Sequence, residues 1–181
     1  MMDKYTSETK TWLEQGFGQF QNTGIYQAHQ PIYGFRAGNS ESGVMDKYAI
    51  TYQTMKVLTH IRFTTLLDVG AGEGYKAHVI KKLFQSDVTA SDLSEEACKR
   101  TYELFDIRSV QADIHSLPFD DNQFDIVLCS ETLEHVSHWK RAVHELLRVS
   151  RSAVVITVPH ERAKSRNNFT DKSEHEHINF L

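Results

Sequence analysis

Cysteine is scarce in this 181-residue chain: Cys98 and Cys129 are the only two, and neither has the spacing of a metal-ligand set. That excludes a disulfide-stapled scaffold and fits buried, reduced thiols in a reducing compartment. No apolar run approaches the ~18 residues that span a bilayer. The opening Met1-Met2-Asp3-Lys4-Tyr5-Thr6 lacks the apolar core of a secretory signal. A cytoplasmic protein without a membrane role is the expectation. Positive charge is not in surplus either. Lys and Arg number 20 against 24 Asp and Glu, a formal net charge of −4, which argues against a broad electrostatic grip on nucleic acid. Arg162, Lys164 and Arg166 form a local basic run. No internal repeat or low-complexity tract is visible.

What is present suits one globular unit. Hydrophobic residues make up 40% and charged residues 24%, and a chain of this length buries roughly 70% of its unfolded surface without a metal or disulfide staple. Composition shifts near residue 60. Before it, Trp12, Phe17, Phe20, Tyr26, Tyr33 and Phe35 are scattered among polar residues, a pattern of short helices and loops. Within this stretch, 45–59 carries Tyr48, Ile50, Tyr52, Met55 and Leu58 at helical spacing.

Beyond residue 60 the pattern becomes regular. Short apolar segments at 64–69, 87–91, 109–112, 124–130 and 153–158 read as strands. Helical stretches are expected at 75–84, 94–104 and 137–149, with Glu95 and Glu96 suited to the positive end of a helix dipole. Strands alternating with helices imply right-handed βαβ units. The fold class is therefore α/β, a Rossmann-like doubly wound parallel sheet.

The chemistry gathers at the strand ends. Leu66-Leu67-Asp68-Val69-Gly70-Ala71-Gly72-Glu73-Gly74 runs an apolar strand into three alternating glycines and a helix. Glycines let the chain turn sharply and bring bare backbone against a ligand at the carboxyl end of the sheet. Asp92 follows the second strand, where a carboxylate accepts ribose hydroxyls, and Asp113 follows the third, within reach of an adenine amino group. A dinucleotide fingerprint spaces its third glycine three residues on. Here the spacing is two, and Asp68 inside the strand suits an ammonium group better than a pyrophosphate.

Taken together, Leu67-Asp68-Val69-Gly70-Ala71-Gly72-Glu73-Gly74, Ala90-Ser91-Asp92-Leu93-Ser94, Ala112-Asp113, Leu117-Pro118-Phe119, Glu134-His135-Val136 and Ile156-Thr157-Val158-Pro159 resemble the class I S-adenosylmethionine-dependent methyltransferase superfamily. The likeness runs from Leu66 to Val158 and is nearest to the small-molecule branch of ubiquinone and menaquinone biosynthesis. The resemblance implies the strand order 3-2-1-4-5 and S-adenosylmethionine as cofactor. It places Asp68, Gly70, Gly72 and Gly74 around the methionine end, and Asp92 and Leu93 at the ribose and adenine. Asp113 and the Ile114 backbone would recognise the base edge, with Ser130 and Glu131 beside the sulfonium. It also implies a division into residues 1–60, a lid segment, and 61–181, the cofactor-binding core. Tyr26, His29, Tyr33 and Arg36 are then candidate substrate-binding residues.

Two departures shape further expectations. Family members usually continue through two more strands, which this sequence lacks. A truncated gene product or fragment is therefore expected, with strand five as an exposed apolar edge and a candidate homodimer surface. No Asn-Pro-Pro-Tyr follows the fourth strand, which argues against methylation of adenine or glutamine amino groups. Methyl transfer to a small-molecule acceptor by in-line displacement is the leading reading, with His135 or Glu131 as candidate base and no metal. A second reading has Glu131, Glu134, His135 and His177, with His175 nearby, holding a divalent metal as in small-RNA 2′-O-methyltransferases. A third is a non-catalytic cofactor-binding protein that acts through the strand-five edge.

Overall fold

The structure, a computed structural model, describes residues 2–18 and 41–158. Among the described residues two helices come first, α1 (Lys4–Gly18) and α2 (Glu41–Leu58). Then follow β1 (Thr65–Val69), α3 (Tyr75–Phe84), β2 (Asp87–Asp92), α4 (Glu95–Phe105) and β3 (Ser109–Gln111). β4 (Phe124–Ser130), a 3-10 turn (Leu133–His135), α5 (Trp139–Val149) and β5 (Ser150–Thr157) complete the described chain. The five strands lie in the order β3-β2-β1-β4-β5, each parallel to its neighbour. This is the doubly wound order expected from the sequence. Among the described residues, no helix is long and apolar enough to cross a membrane.

Period-two alternation explains why both faces of the sheet are covered. Leu66, Ile126 and Leu128 point into one core with Leu58 of α2 and Ala77 and Ile80 of α3. Leu67, Val127 and Cys129, one residue out of phase, point into the other with Ala142, Leu146 and Val149 of α5. Central parallel strands buried on both sides read as continuous apolar runs, as Phe124–Ser130 does. Truncating any of these fully buried leucines to alanine would cost about 2–5 kcal/mol.

Local chemistry sets the boundaries. Ser94 caps α4, its hydroxyl accepting from Ala97 N at 3.1 Å. Asp106 ends the same helix in the left-handed region at φ 51°. β5 begins at Ser150, three residues before the expected start at 153. Ser150 pairs with Phe124 before an irregularity lets Ala153 pair with Ile126. The polar Ser150-Arg151-Ser152 gave no apolar signal of that pairing. α5 begins at Trp139, because Ser137 gives its hydroxyl to Asp3 Oδ2 at 2.9 Å. Among the described residues β5 pairs only with β4, and Ile156 is exposed. Both cysteines are free and buried.

Candidate functional site

A cavity of about 250 Å3 opens at the carboxyl ends of β1, β2 and β4. The polypeptide reverses there because Gly70 (φ 73°) and Gly74 (φ 79°) take the left-handed conformation. A side chain at Gly70 would overlap Thr132, and one at Gly74 would overlap Thr101. The bare backbone thus serves close packing against two threonines, besides whatever the cavity admits. Gly70 and Ala71 donate to Ser91 O at 2.8 and 3.1 Å, which ties the turn to β2. Thr101 donates to Gly72 O at 3.0 Å, and the buried Glu73 pairs with the buried Arg100, so α4 grips the loop twice.

The sequence-derived residues Asp68, Gly70, Gly72, Asp92, Leu93, Asp113, Ile114, Ser130, Glu131 and His135 all line this one cavity. Gly74 lies behind it, packed on Thr101. Tyr26, His29, Tyr33, Arg36, His175 and His177 fall outside the described residues. Glu134 is buried, does not line the cavity, and lies 3.8 Å from His135 Nε2. Among the described residues, no three His, Cys, Asp or Glu side chains gather closely enough to hold a metal ion.

Each acid has a distinct environment. Asp68 is 2% exposed, and its Oδ2 has no hydrogen-bond partner among the described residues. Burial pushes its pKa up to about 6, against the pull of the Lys76 ammonium; Asp92 adds to the rise. Asp92 accepts from Gly72 N at 2.8 Å and Ser94 N at 2.9 Å, one bond to each oxygen. Its pKa is also raised by burial, opposed by those amides and by the Leu93 amide. Asp113 Oδ1 holds His115 N at 2.9 Å and Nδ1 at 2.6 Å. That contact fixes the imidazole and leaves its Nε2 buried without a partner among the described residues. Ser91 Oγ, also on the cavity wall, is buried and, among the described residues, unpartnered. Three orphaned polar atoms around one cavity are what a polar ligand would satisfy.

Glu131 sits in the left-handed region at φ 56°, a strained position for a side-chain-bearing residue. Two bonds to Thr157 hold it there: Glu131 N to Thr157 O, and Thr157 Oγ1 to Glu131 Oε1, both 2.9 Å. Sequence reasoning missed Lys76 and His115, which line the cavity, and the wall formed by α1. Thr6, Thr9, Trp12, Leu13 and Phe17 face the cavity from that helix. Glu14 anchors α1 by accepting from Ser94 Oγ, Glu95 N and Glu96 N at 2.9, 2.7 and 3.1 Å. At the other end, Asp3 and Thr6 hold Ser137.

Residues 67–157 match the family described as Methyltransferase domain. The chain belongs to that family. With it stands the wider placement among class I S-adenosylmethionine-dependent methyltransferases. The chain is 33% identical over 90 residues to phthiotriol/phenolphthiotriol dimycocerosates methyltransferase of Mycobacterium tuberculosis, covering 48% of this chain and 33% of that one. It is 36% identical over 86 residues to the mitochondrial arginine-hydroxylase NDUFAF5 of Mus musculus, covering 46% and 25%. The match thus spans about a third or less of these relatives' own length. Among solved structures, geranyl diphosphate C-methyltransferase of Streptomyces coelicolor superposes with a TM-score of 0.63 at 19% identity, covering 86% of this chain and 66% of that one. That likeness establishes the fold. Relatives named for methyl transfer and for hydroxylation both match this chain, so its chemistry has to be argued from the cavity.

Proposed function

We propose that this methyltransferase-family chain moves a methyl group from S-adenosylmethionine to a small-molecule acceptor by in-line displacement. The observation that carries the proposal is Asp68: a buried carboxylate with a free oxygen, at the strand tip, in a cavity shared with Asp92 and Asp113. A sulfonium compound with an α-ammonium group, a ribose and an adenine presents groups for all three acids in that order. Bound there, the cofactor supplies an electrophilic methyl carbon activated by positive sulfur.

The chain's own residues do the rest. Asp68 would accept the ammonium, Gly70 and Gly72 let backbone approach, and Asp92 and Leu93 would take the ribose. Asp113 and Ile114 would meet the base, and Ser130 stands at the end of β4. Methyl transfer needs alignment and exclusion of water, and positioning supplies up to ~7–11 kcal/mol. The α1 wall of Trp12, Leu13 and Phe17, with Ile50 and Val136, supplies an apolar enclosure for an acceptor with a hydrophobic body. Glu131 or His135 would accept a proton from an acceptor that carries one; a carboxylate or enolate acceptor needs no base.

On this proposal residues 1–60 form the lid and acceptor wall, and 61–181 the cofactor-binding core. The protein works in the cytoplasm, and the β5 edge is its candidate homodimer surface; light scattering on the eluting protein reads that association. The enzymatic proposal is tested by calorimetric titration with S-adenosylhomocysteine in metal-free buffer, followed by methyl transfer from labelled cofactor to fatty acids, prenyl diphosphates and polyketide phenols. One-site binding without metal and label in one acceptor class are expected. No binding at millimolar ligand would overturn it.

A further inference from the structure

Thr157, at the end of β5, grips Glu131 by main chain and side chain, and the grip continues inward. Thr157 Oγ1 lies 2.6 Å from Ser130 Oγ, and Ser130 Oγ accepts from Lys76 Nζ at 2.5 Å. Chemistry fixes the direction of every bond in this chain. An ammonium only donates and a carboxylate only accepts, while each hydroxyl has a single proton. Ser130 accepts from Lys76 and gives its own proton to Thr157, which gives its own to Glu131 Oε1. The chain thus runs from a cation to an anion with no bond reversed. It fixes how Glu131 presents its second oxygen, which takes no hydrogen bond among the described residues. A latch that merely joined β4 to β5 would not need a carboxylate at a strained position on the cavity wall.

The charge of the cavity bears on what can approach that oxygen. Among the described residues lining it, Lys76 is the sole lysine or arginine, against Asp68, Glu73, Asp92, Asp113 and Glu131. Glu73 is paired with Arg100, and the lone ammonium is turned toward Ser130. A carboxylate or diphosphate entering beside Glu131 would meet like charge in a partly desolvated site, which costs affinity. A neutral hydroxyl would find the apolar wall of Trp12, Leu13 and Phe17, and a carboxylate oxygen that lacks a donor.

We infer that Lys76, Ser130 and Thr157 are positioning residues that aim Glu131 at an uncharged acceptor, so that the site takes alcohols and phenols with an apolar body and rejects carboxylates and diphosphates. This rests on the methyl-transfer proposal above and narrows its acceptor to one class. In the transfer, the acceptor oxygen gives its proton to the second Glu131 oxygen. A lone pair on that acceptor oxygen forms the bond to the methyl carbon, and the pair of the broken carbon–sulfur bond stays on sulfur. The half-buried Glu131 then returns the proton to solvent.

The test is calorimetric titration of the full chain, saturated with S-adenosylhomocysteine, with matched probes: 2-naphthol against 2-naphthoate, and 1-octanol against octanoate. Wild type is expected to bind a neutral probe about tenfold or more tighter than its anionic partner. Glu131→Gln should narrow that preference to within about threefold. Methyl transfer from labelled cofactor to the preferred probe should fall about 100- to 10,000-fold in kcat in Glu131→Gln. Thr157→Val should lower kcat about tenfold, with KM and S-adenosylhomocysteine affinity within about threefold. Thr157→Ser, which keeps the hydroxyl, should recover most of that loss. Thermal unfolding confirms that the variants fold. A carboxylate bound as tightly as its neutral partner, or no binding of any probe, would overturn the inference and leave the cofactor proposal standing. So would full turnover or an unchanged preference in Glu131→Gln, or a Thr157→Val loss confined to stability or not rescued by serine. Absence of S-adenosylhomocysteine binding would overturn both.

Discussion

Asp68 and Asp125 sit on adjacent parallel strands, β1 and β4, near opposite ends of the sheet. At the amino end, Asp125 accepts from Thr64 N, Thr64 Oγ1, Thr65 N and an Arg151 guanidinium, at 2.7–3.1 Å. Those donors hold its pKa far below the usual carboxylate range. Nearby, Arg148 reaches Glu145, Asp121, Leu117 O and Phe119 O with every arm of its guanidinium. At the carboxyl end the polar groups are under-used: Asp68 Oδ2, Ser91 Oγ and His115 Nε2 are buried without partners among the described residues. One residue type therefore serves opposite purposes 57 positions apart in sequence. Saturated acids fasten loops to the sheet. Unsaturated ones cost stability, and on the proposal above a ligand would complete them, the usual division between scaffold and site.

The largest effect expected from this contrast is at the amino end. Asp125→Asn removes an anionic acceptor from several donors and should destabilise the fold by about 3 kcal/mol at pH 7, read from urea denaturation. Because the folded state depresses this pKa, the stabilisation is present above the unfolded value of 3.8 and is lost as pH falls. The variant should therefore approach wild type in strongly acid solution.

Asp68→Asn should move the other way. Burial raises the Asp68 pKa from 3.8 to about 6, so the folded protein holds this proton more tightly than the unfolded chain. The stability linked to that proton is complete below 3.8 and lost as pH rises through about 6. At pH 8 the variant should be more stable than wild type by on the order of 2 kcal/mol, the difference shrinking near pH 4. A destabilised variant would break the contrast between the two ends.

A smaller effect is expected at the α1 clasp. Glu14→Ala removes the side chain that caps α4 from a distant helix and should cost about 1 kcal/mol. Cofactor affinity should fall only a few-fold, because Trp12, Leu13 and Phe17 still face the cavity. Amide hydrogen exchange should rise in Lys4–Gly18 and in the first turn of α4.

Legibility in the sequence follows the same divide. β4 was readable because Phe124-Asp125-Ile126-Val127-Leu128-Cys129 is nearly all apolar, and α3 because three glycines announce its start. Asp68, Asp92 and Asp113 were readable as strand-end acids, and the structure brings all three to one cavity. α1 was not, since its largely polar sequence buries little beyond Thr6 and Phe17 and owes its place to contacts made by Glu14 and Asp3. The Glu14 bonds link residues 80 or more apart, and no local pattern encodes them. Lys76 looked like an ordinary helical lysine. The one available signal was its position, two residues past the last glycine, where a first-turn side chain leans back over the strand tips. His115 was hidden by a two-residue separation from Asp113, which reads as turn chemistry until the imidazole is seen to be buried.

The central claim is that Asp68 is kept under-paired to hold a cationic group of the ligand. The most direct test is the dissociation constant of S-adenosylhomocysteine between pH 8 and pH 5, for wild type and for Asp68→Asn. Protonation of Asp68 removes the partner of the ligand's ammonium. Wild-type affinity should therefore hold above neutrality and weaken about tenfold as pH falls through the Asp68 titration near 6. The variant should bind weakly with a flat profile. A wild-type profile equally flat, or a variant that binds as tightly as wild type at pH 8, would contradict the account.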